Sequence, residues 1–274
     1  MMWVAYGAVG VAAGFLAGLL GIGGGLVVVP ALVLAFALQG VPDEVATHMA
    51  VATSLATIVV TGFSSTVAHH RRQAVQWSAV ALLGVGLVLG SGAGAVTSLQ
   101  LSPRVLQGII GTFLLFMAAK MVWPGPSARV ARPLGRFRLA FSGLGIGWAS
   151  AILGIGGGLF AVPLLRRGGF TMVRAVGTSA ACGLVLAASG ATVHLLYGTI
   201  ETVTPSRFGL IHGPAFVGIV ATSLFAAPLG AGVAHRLPAG ALRLVFALFL
   251  LVVGLRFWVL LGLSLTADRV SVGG

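Results

Sequence analysis

Two short glycine runs carry most of the chemistry that this sequence can offer. Residues 20 to 26 read LGIGGGL and residues 153 to 159 read LGIGGGL again, each followed at equal distance by a proline, Pro30 and Pro163. Gly23, Gly24 and Gly25 in the first copy, and Gly156, Gly157 and Gly158 in the second, interrupt a helix and let backbone approach a ligand closely. The arm after each run begins a new helix, whose first N–H groups are unpaired and attract anions. The competing reading of such glycines is tight helix packing.

Hydroxyl and imidazole groups repeat with the glycines. Thr53 and Ser54 match Thr178 and Ser179, and His69 matches His194 at the same spacing. The four hydroxyls could donate to an oxyanion, or could bond back to the carbonyl one turn earlier and join helices. The two histidines read as interface anchors or as gating and proton-sensing groups, since imidazole titrates near neutral pH.

The elements that position these groups follow from composition. Hydrophobic residues make up 58% of the chain and charged residues 7%, whereas a soluble domain is about 25% charged. Residues 1–42, 45–70, 73–103, 139–165, 175–200 and 208–235 hold no Asp, Glu, Lys or Arg. A membrane helix needs about 20 such residues, and no strict alternation suggests a barrel. An all-α polytopic membrane protein is therefore expected. The net charge of +12 is spread between apolar segments, which is a topology signal and leaves no basic face for nucleic acid.

The duplication divides the chain into a first repeat over 1–123, a cytoplasmic linker over 124–138 and a second repeat over 139–274. Each repeat reads as a glycine-interrupted element followed by three helices: 3–38, 45–68, 77–98 and 104–123, then 139–165, 173–197, 209–234 and 240–263. The first interrupted element, at roughly 1.5 Å for each of about 36 residues, is too long for one crossing. It must break at Gly21 to Gly25, as a re-entrant hairpin. In the second, the alternative is a single kinked helix.

Basic residues favour hairpins. On that model Arg71, Arg72, the linker arginines, Arg166, Arg167 and Arg174 share the cytoplasmic side, and only Arg104, Arg207, Arg256 and Arg269 fall outside. Single crossings divide them less evenly. An odd number of crossings per repeat then makes the two repeats inverted, an architecture of secondary transporters, with a site between the hairpins near the midplane.

Absences narrow the function further. No Asp or Glu lies inside an apolar segment, which disfavours a cation pump. The lone Cys182 excludes paired-cysteine redox chemistry, and no HExxH, GxSxG or Walker sequence supports an enzyme, a metal or a cofactor. The GIGGGL run lacks the βαβ context of a dinucleotide loop.

The paired LGIGGGL motifs with their prolines, followed by ATSL at Ala52 to Leu55 and GTSA at Gly177 to Ala180, resemble the TauE/SafE sulfite exporter family, also called the four-toluene sulfonate uptake permease family. The likeness covers nearly the whole chain. It implies a multi-pass transporter of the bacterial cytoplasmic membrane, moving sulfite, an organosulfonate or a related small anion. The alternative is a non-transporting membrane assembly factor or scaffold.

Overall fold

The computed structural model describes residues 2–20, 24–123, 135–198, 207–234, 244, 247–259 and 261–262. Residues 124–134 of the expected 124–138 linker, and Gly23, lie outside the described residues, whereas residues 136–138 already belong to a helix. Helices dominate. The first repeat supplies α1 (Met2–Leu20), α2 (Gly25–Leu38), α3 (Asp43–Arg71), α4 (Trp77–Gln100) and α5 (Pro103–Val122). The second supplies α6 (Arg136–Leu153), α7 (Gly158–Arg167), α8 (Met172–Tyr197), the two-residue strands β1 (Arg207–Phe208) and β2 (Ile211–His212), α9 (Gly213–Ala234) and α10 (Ala247–Val259).

Local chemistry sets the ends. Ser102 caps α5 by accepting from the Val105 N–H, with Pro103 opening the helix, and Thr171 caps α8 by accepting from the Arg174 N–H. Where one helix over 209–234 was expected, Gly209 at φ +59° turns a small hairpin, pairing Arg207 with His212, before α9 begins.

Both glycine runs break the helix. α1 stops at Leu20 and α2 starts at Gly25; α6 stops at Leu153 and α7 starts at Gly158. In each copy the chain then returns to the end where it came in. Tyr6 near the start of α1 donates its hydroxyl to Gln39, just after α2, at 2.7 Å, and packs edge-on against Phe36. α6 begins beside the start of α4, where Gly143 abuts Leu83, while α7 leads at once into α8, whose Thr178 meets Gln76 just before α4. The second interrupted element is thus a hairpin and not one kinked helix. With 14 and 10 residues, α2 and α7 reach roughly 21 and 15 Å, about two thirds and one half of a bilayer core.

By packing, the chain divides into two units, Met1–Gln100 with Ala128–His235, and Leu101–Ser127 with Arg236–Gly274. In the smaller unit α5 and α10 pack at Gly111 and Gly254, against Phe257 and Leu115 respectively. In the larger unit the partnerships cross between repeats. α1 lies along α9, with Gly10 and Gly14 against Ile219, Thr222 and Ser223; α4 lies along α6, with Gly86, Gly90 and Gly94 against Ala140, Leu144 and Trp148. Missing side chains allow the backbones to touch. The matching helices α3 and α8 cross in opposite directions, Leu55 meeting Gly190, Gly62 meeting Leu184 and Ala74 meeting Gly177.

Polarity runs inside out. Phe141, Val85 and Phe225 are 69%, 68% and 79% exposed in mid-helix, while Thr53, Ser54, Ser98, Ser150, Thr178 and His194 are all fully buried. Such surfaces suit lipid rather than water. Among the described residues, four helices, α3, α4, α5 and α8, are long and apolar enough to cross a membrane.

Candidate functional site

The two glycine breaks meet. Gly25, the first residue of α2, is so close to the second break that an added Cβ would lie 2.8 Å from the Gly154 carbonyl oxygen and 2.9 Å from the Ile155 Cα. Gly154 closes α6 in the left-handed region at φ +65°, and residues 151–158 are all buried. Around them stand Val29 of α2, Val51 and Ile58 of α3, and Ile146 of α6 with Leu186 of α8. No charged side chain is among these neighbours, so the local field comes from backbone dipoles.

The second break leaves donors unspent. In the first turn of α7 the N–H of Gly158 turns back to Gly156, and those of Phe160 and Ala161 to Gly157. Among the described residues, no acceptor meets the N–H of Gly156, Gly157 or Leu159. Ser150, in the last turn of α6, is fully buried and its hydroxyl has no hydrogen-bond partner among the described residues. That oxygen lies 3.8 Å from where a Gly157 Cβ would stand. A buried unpaired hydroxyl costs about 1–3 kcal/mol, which a bound group could recover. Pro163 also lacks an N–H, so the Leu159 carbonyl has no helical donor, and Pro30 leaves the Leu26 carbonyl in the same position.

The residues expected to act together sort into different roles. Gly25, Gly156, Gly157, Gly158 and Ser54 converge on the break, Ser54 donating to the Gly154 carbonyl at 2.7 Å. Gly24 caps α2, its carbonyl accepting from Val27 and Val28. Thr53 and Thr178 serve as ties. Thr53 Oγ1 accepts from the His212 N–H at 2.9 Å, at the start of α9; Thr178 Oγ1 accepts from the Gln76 N–H at 3.0 Å, at the start of α4. Each threonine therefore holds a helix of the other repeat by its unpaired N-terminus. Ser179 is buried on α8.

The histidines separate. His69 is half-buried near the end of α3, where its carbonyl accepts from Ala74. His194 is fully buried near the end of α8, bonded to Ser98 and to the Gly190 carbonyl. Ser98 also presents its carbonyl to His48 Nε2 at 2.9 Å. His48 and Ser150 have no counterpart that repeats, and Ser98, which Ser223 matches at the spacing of the other pairs, stands among ordinary helical hydroxyls. His48 aligns with Val173 by the spacing that links the other pairs, and Ser150 lies outside the seven-residue motif.

Comparisons with known proteins show what the chain is similar to. The family model described as Sulfite exporter TauE/SafE matches residues 6–257. A probable membrane transporter protein of Haemophilus influenzae is 38% identical over 252 residues, 91% of this chain and 96% of the relative. Another, of Methanocaldococcus jannaschii, is 28% identical over 90% of this chain and 92% of its own length. A third, YunE of Bacillus subtilis, is 24% identical over 93% of this chain and 96% of its own length. No solved structure matches the chain.

Proposed function

This chain belongs to the sulfite exporter TauE/SafE family and is a multi-pass membrane transporter, not an enzyme; on that premise we propose that it carries a small sulfur-containing anion, such as sulfite or an organosulfonate, across a bacterial cytoplasmic membrane. The anion sits between the two glycine hairpins and leaves to either side as inverted repeats rock. Gly23, Gly24, Gly25, Ser54, Gly156, Gly157, Gly158 and Ser179 line the path, with the Thr53 and Thr178 hydroxyl protons facing it. His69 and His194 act at opposite ends as gates. The 124–138 linker joins repeats 1–123 and 139–274 on the cytoplasmic side.

One observation carries the reading: the unspent N–H groups at the start of α7 and the unpartnered Ser150 hydroxyl occupy the same buried break. Donors without acceptors, in surroundings without a charged side chain, favour a diffuse anion over a cation. The antiparallel crossing of α3 and α8 supports the inverted arrangement.

Proteoliposomes given radiolabelled sulfite or sulfoacetate test it. Wild-type protein should accumulate or exchange the label. Ser150→Ala, which removes the free hydroxyl and nothing else, should raise KM about fivefold to a hundredfold if the hydroxyl donates to the bound anion, the range for losing about 1–3 kcal/mol. Uptake of either anion with unchanged KM in Ser150→Ala would move the site away from this break.

A further inference from the structure

Donor counting at the end of the bundle where α3 begins and α4 and α8 finish points to a second site. His194 Nδ1 lies 2.9 Å from the Gly190 carbonyl, which only accepts, so this nitrogen carries a hydrogen. The Ser98 hydroxyl lies 2.8 Å from the Ala95 carbonyl, which again only accepts, so the single hydroxyl proton belongs there. Between them, His194 Nε2 and Ser98 Oγ stand 3.1 Å apart. For all three contacts to be hydrogen bonds, the proton of the middle one must sit on Nε2. His194 is then doubly protonated. A neutral His194 forfeits one bond of the chain, in a place where burial makes a missing bond costly.

We propose that His48, Ser98 and His194 form a proton-binding site that couples anion movement to proton movement, one proton travelling with one anion. This rests on the reading of the chain as an anion transporter. In each cycle a proton from bulk water adds to the His194 Nε2 lone pair on one side and leaves from it on the other, so that no bond but N–H is made or broken. The imidazolium supplies the positive charge that the glycine break lacks. The distance suits this, since Gly190, whose carbonyl holds His194, packs on Leu55 and on Ala151, the neighbour of Ser150.

Few other groups bear on His194. From α3 the titratable group at this end is His48, 8% exposed, whose Nε2 donates to the Ser98 carbonyl. Asp43 and Glu44 open the same helix. α4 offers Ser98, and the β1–β2 hairpin brings His212, whose Nδ1 accepts from Ala215. α6 and α7 carry their charges, Arg136, Arg138, Arg166 and Arg167, at the opposite end, as α8 carries Arg174, about 30 Å away along the helix. Two histidines do not make a metal site, and among the described residues no third ligand joins them. The repeat does not copy the network either. His69 stands where His194 would, but Val173 replaces His48, so proton binding belongs to one end.

Proteoliposomes with trapped pyranine, given radiolabelled sulfoacetate, read both fluxes in the full-length protein. Acidifying the outside should speed wild-type uptake by up to about tenfold per pH unit, the limit for one bound proton, with the lumen acidifying in step. His194→Gln should lose the acidification and the pH-gradient stimulation, and should lose anion exchange without a gradient to a smaller extent. Gradient-driven uptake that survives in His194→Gln, or wild-type uptake with no lumenal acidification, overturns the proposal. If no anion moves at all, the transport reading fails, and histidine-ring nitrogen NMR decides the proton site by itself. Two protonated ring nitrogens on His194, assigned by their loss in His194→Gln, should appear between pH 8 and pH 5; a single one throughout overturns the site.

Discussion

Gly154→Ala should destabilise the protein by about 2–5 kcal/mol, from two separate causes. The first is conformational: Gly154 sits at φ +65°, where an L side chain costs about 1–2 kcal/mol. The second is steric. An added Cβ would stand 2.7 Å from Val29 Cγ2 and 3.0 Å from the Val51 Cα, of which the first belongs to a side chain 1% exposed and the second to backbone. Neither can withdraw, and overpacking of this kind costs about 1–3 kcal/mol. Gly145→Ala on the same helix is the control, because nothing lies within 4 Å of its added methyl and alanine favours a helix interior by about 0.5–1 kcal/mol. Thermal unfolding in detergent, followed by loss of monodispersity, should rank Gly154→Ala well below wild type and Gly145→Ala at or above it. Equal melting temperatures for the two variants would mean that the second break is neither left-handed nor close-packed.

The threonine ties predict matched losses. Thr53→Val and Thr178→Val should each cost about 1–3 kcal/mol in the same melting assay, because each strands a backbone N–H, of His212 or of Gln76. Wild-type stability in both would deny that the hydroxyls hold the opposite repeat. The pairing of α1 with α9 predicts a disulfide in Gly14→Cys with Ser223→Cys, since the Cβ built on Gly14 comes within 2.9 Å of the Ser223 Cβ and a small shift reaches bonding geometry. Mass spectrometry of the oxidised protein reads the bridge against a background of one buried native cysteine, Cys182. Failure to form it under oxidant would exclude the close approach of α1 and α9.

The sequence made the helices legible because lipid imposes a blunt rule: charge-free length. The breaks were legible for a different reason. Duplication printed the same glycines twice, and no helix tolerates three in a row without consequence. What stayed hidden depends on distant contacts. Thr53 and Thr178 repeat visibly, yet nothing nearby in sequence says that they accept from His212 and Gln76, 159 and 102 residues away. Ser98 looks like any helical serine near a terminus, and its value comes only from the approach of His194 across 96 residues. Residues 209–212 of the small hairpin were absorbed into a helix because, apart from Gly209, they carry no turn signal strong enough to interrupt an apolar run.

The cross-repeat partnerships also determine which bodies can move. α9 is fastened to α1 by glycine contacts and to α3 by Thr53; α4 is fastened to α6 by glycine contacts and to α8 by Thr178. The natural rigid groups are therefore α1, α2, α3 and α9 on one side, and α4, α6, α7 and α8 on the other, each mixing both repeats. Between these groups the fastening is one broad helix crossing, of α3 over α8, together with side-chain bonds to backbone carbonyls. It includes Ser54 donating to the Gly154 carbonyl, His48 donating to the Ser98 carbonyl, and the crossing of α3 over α8. A rocking of these two groups, rather than of whole repeats, would have to part the first two bonds while turning about the third contact. His48 then loses its acceptor on Ser98, the residue whose hydroxyl faces His194. Opening at this end and exposure of the proton site become one event, because a single serine belongs to both.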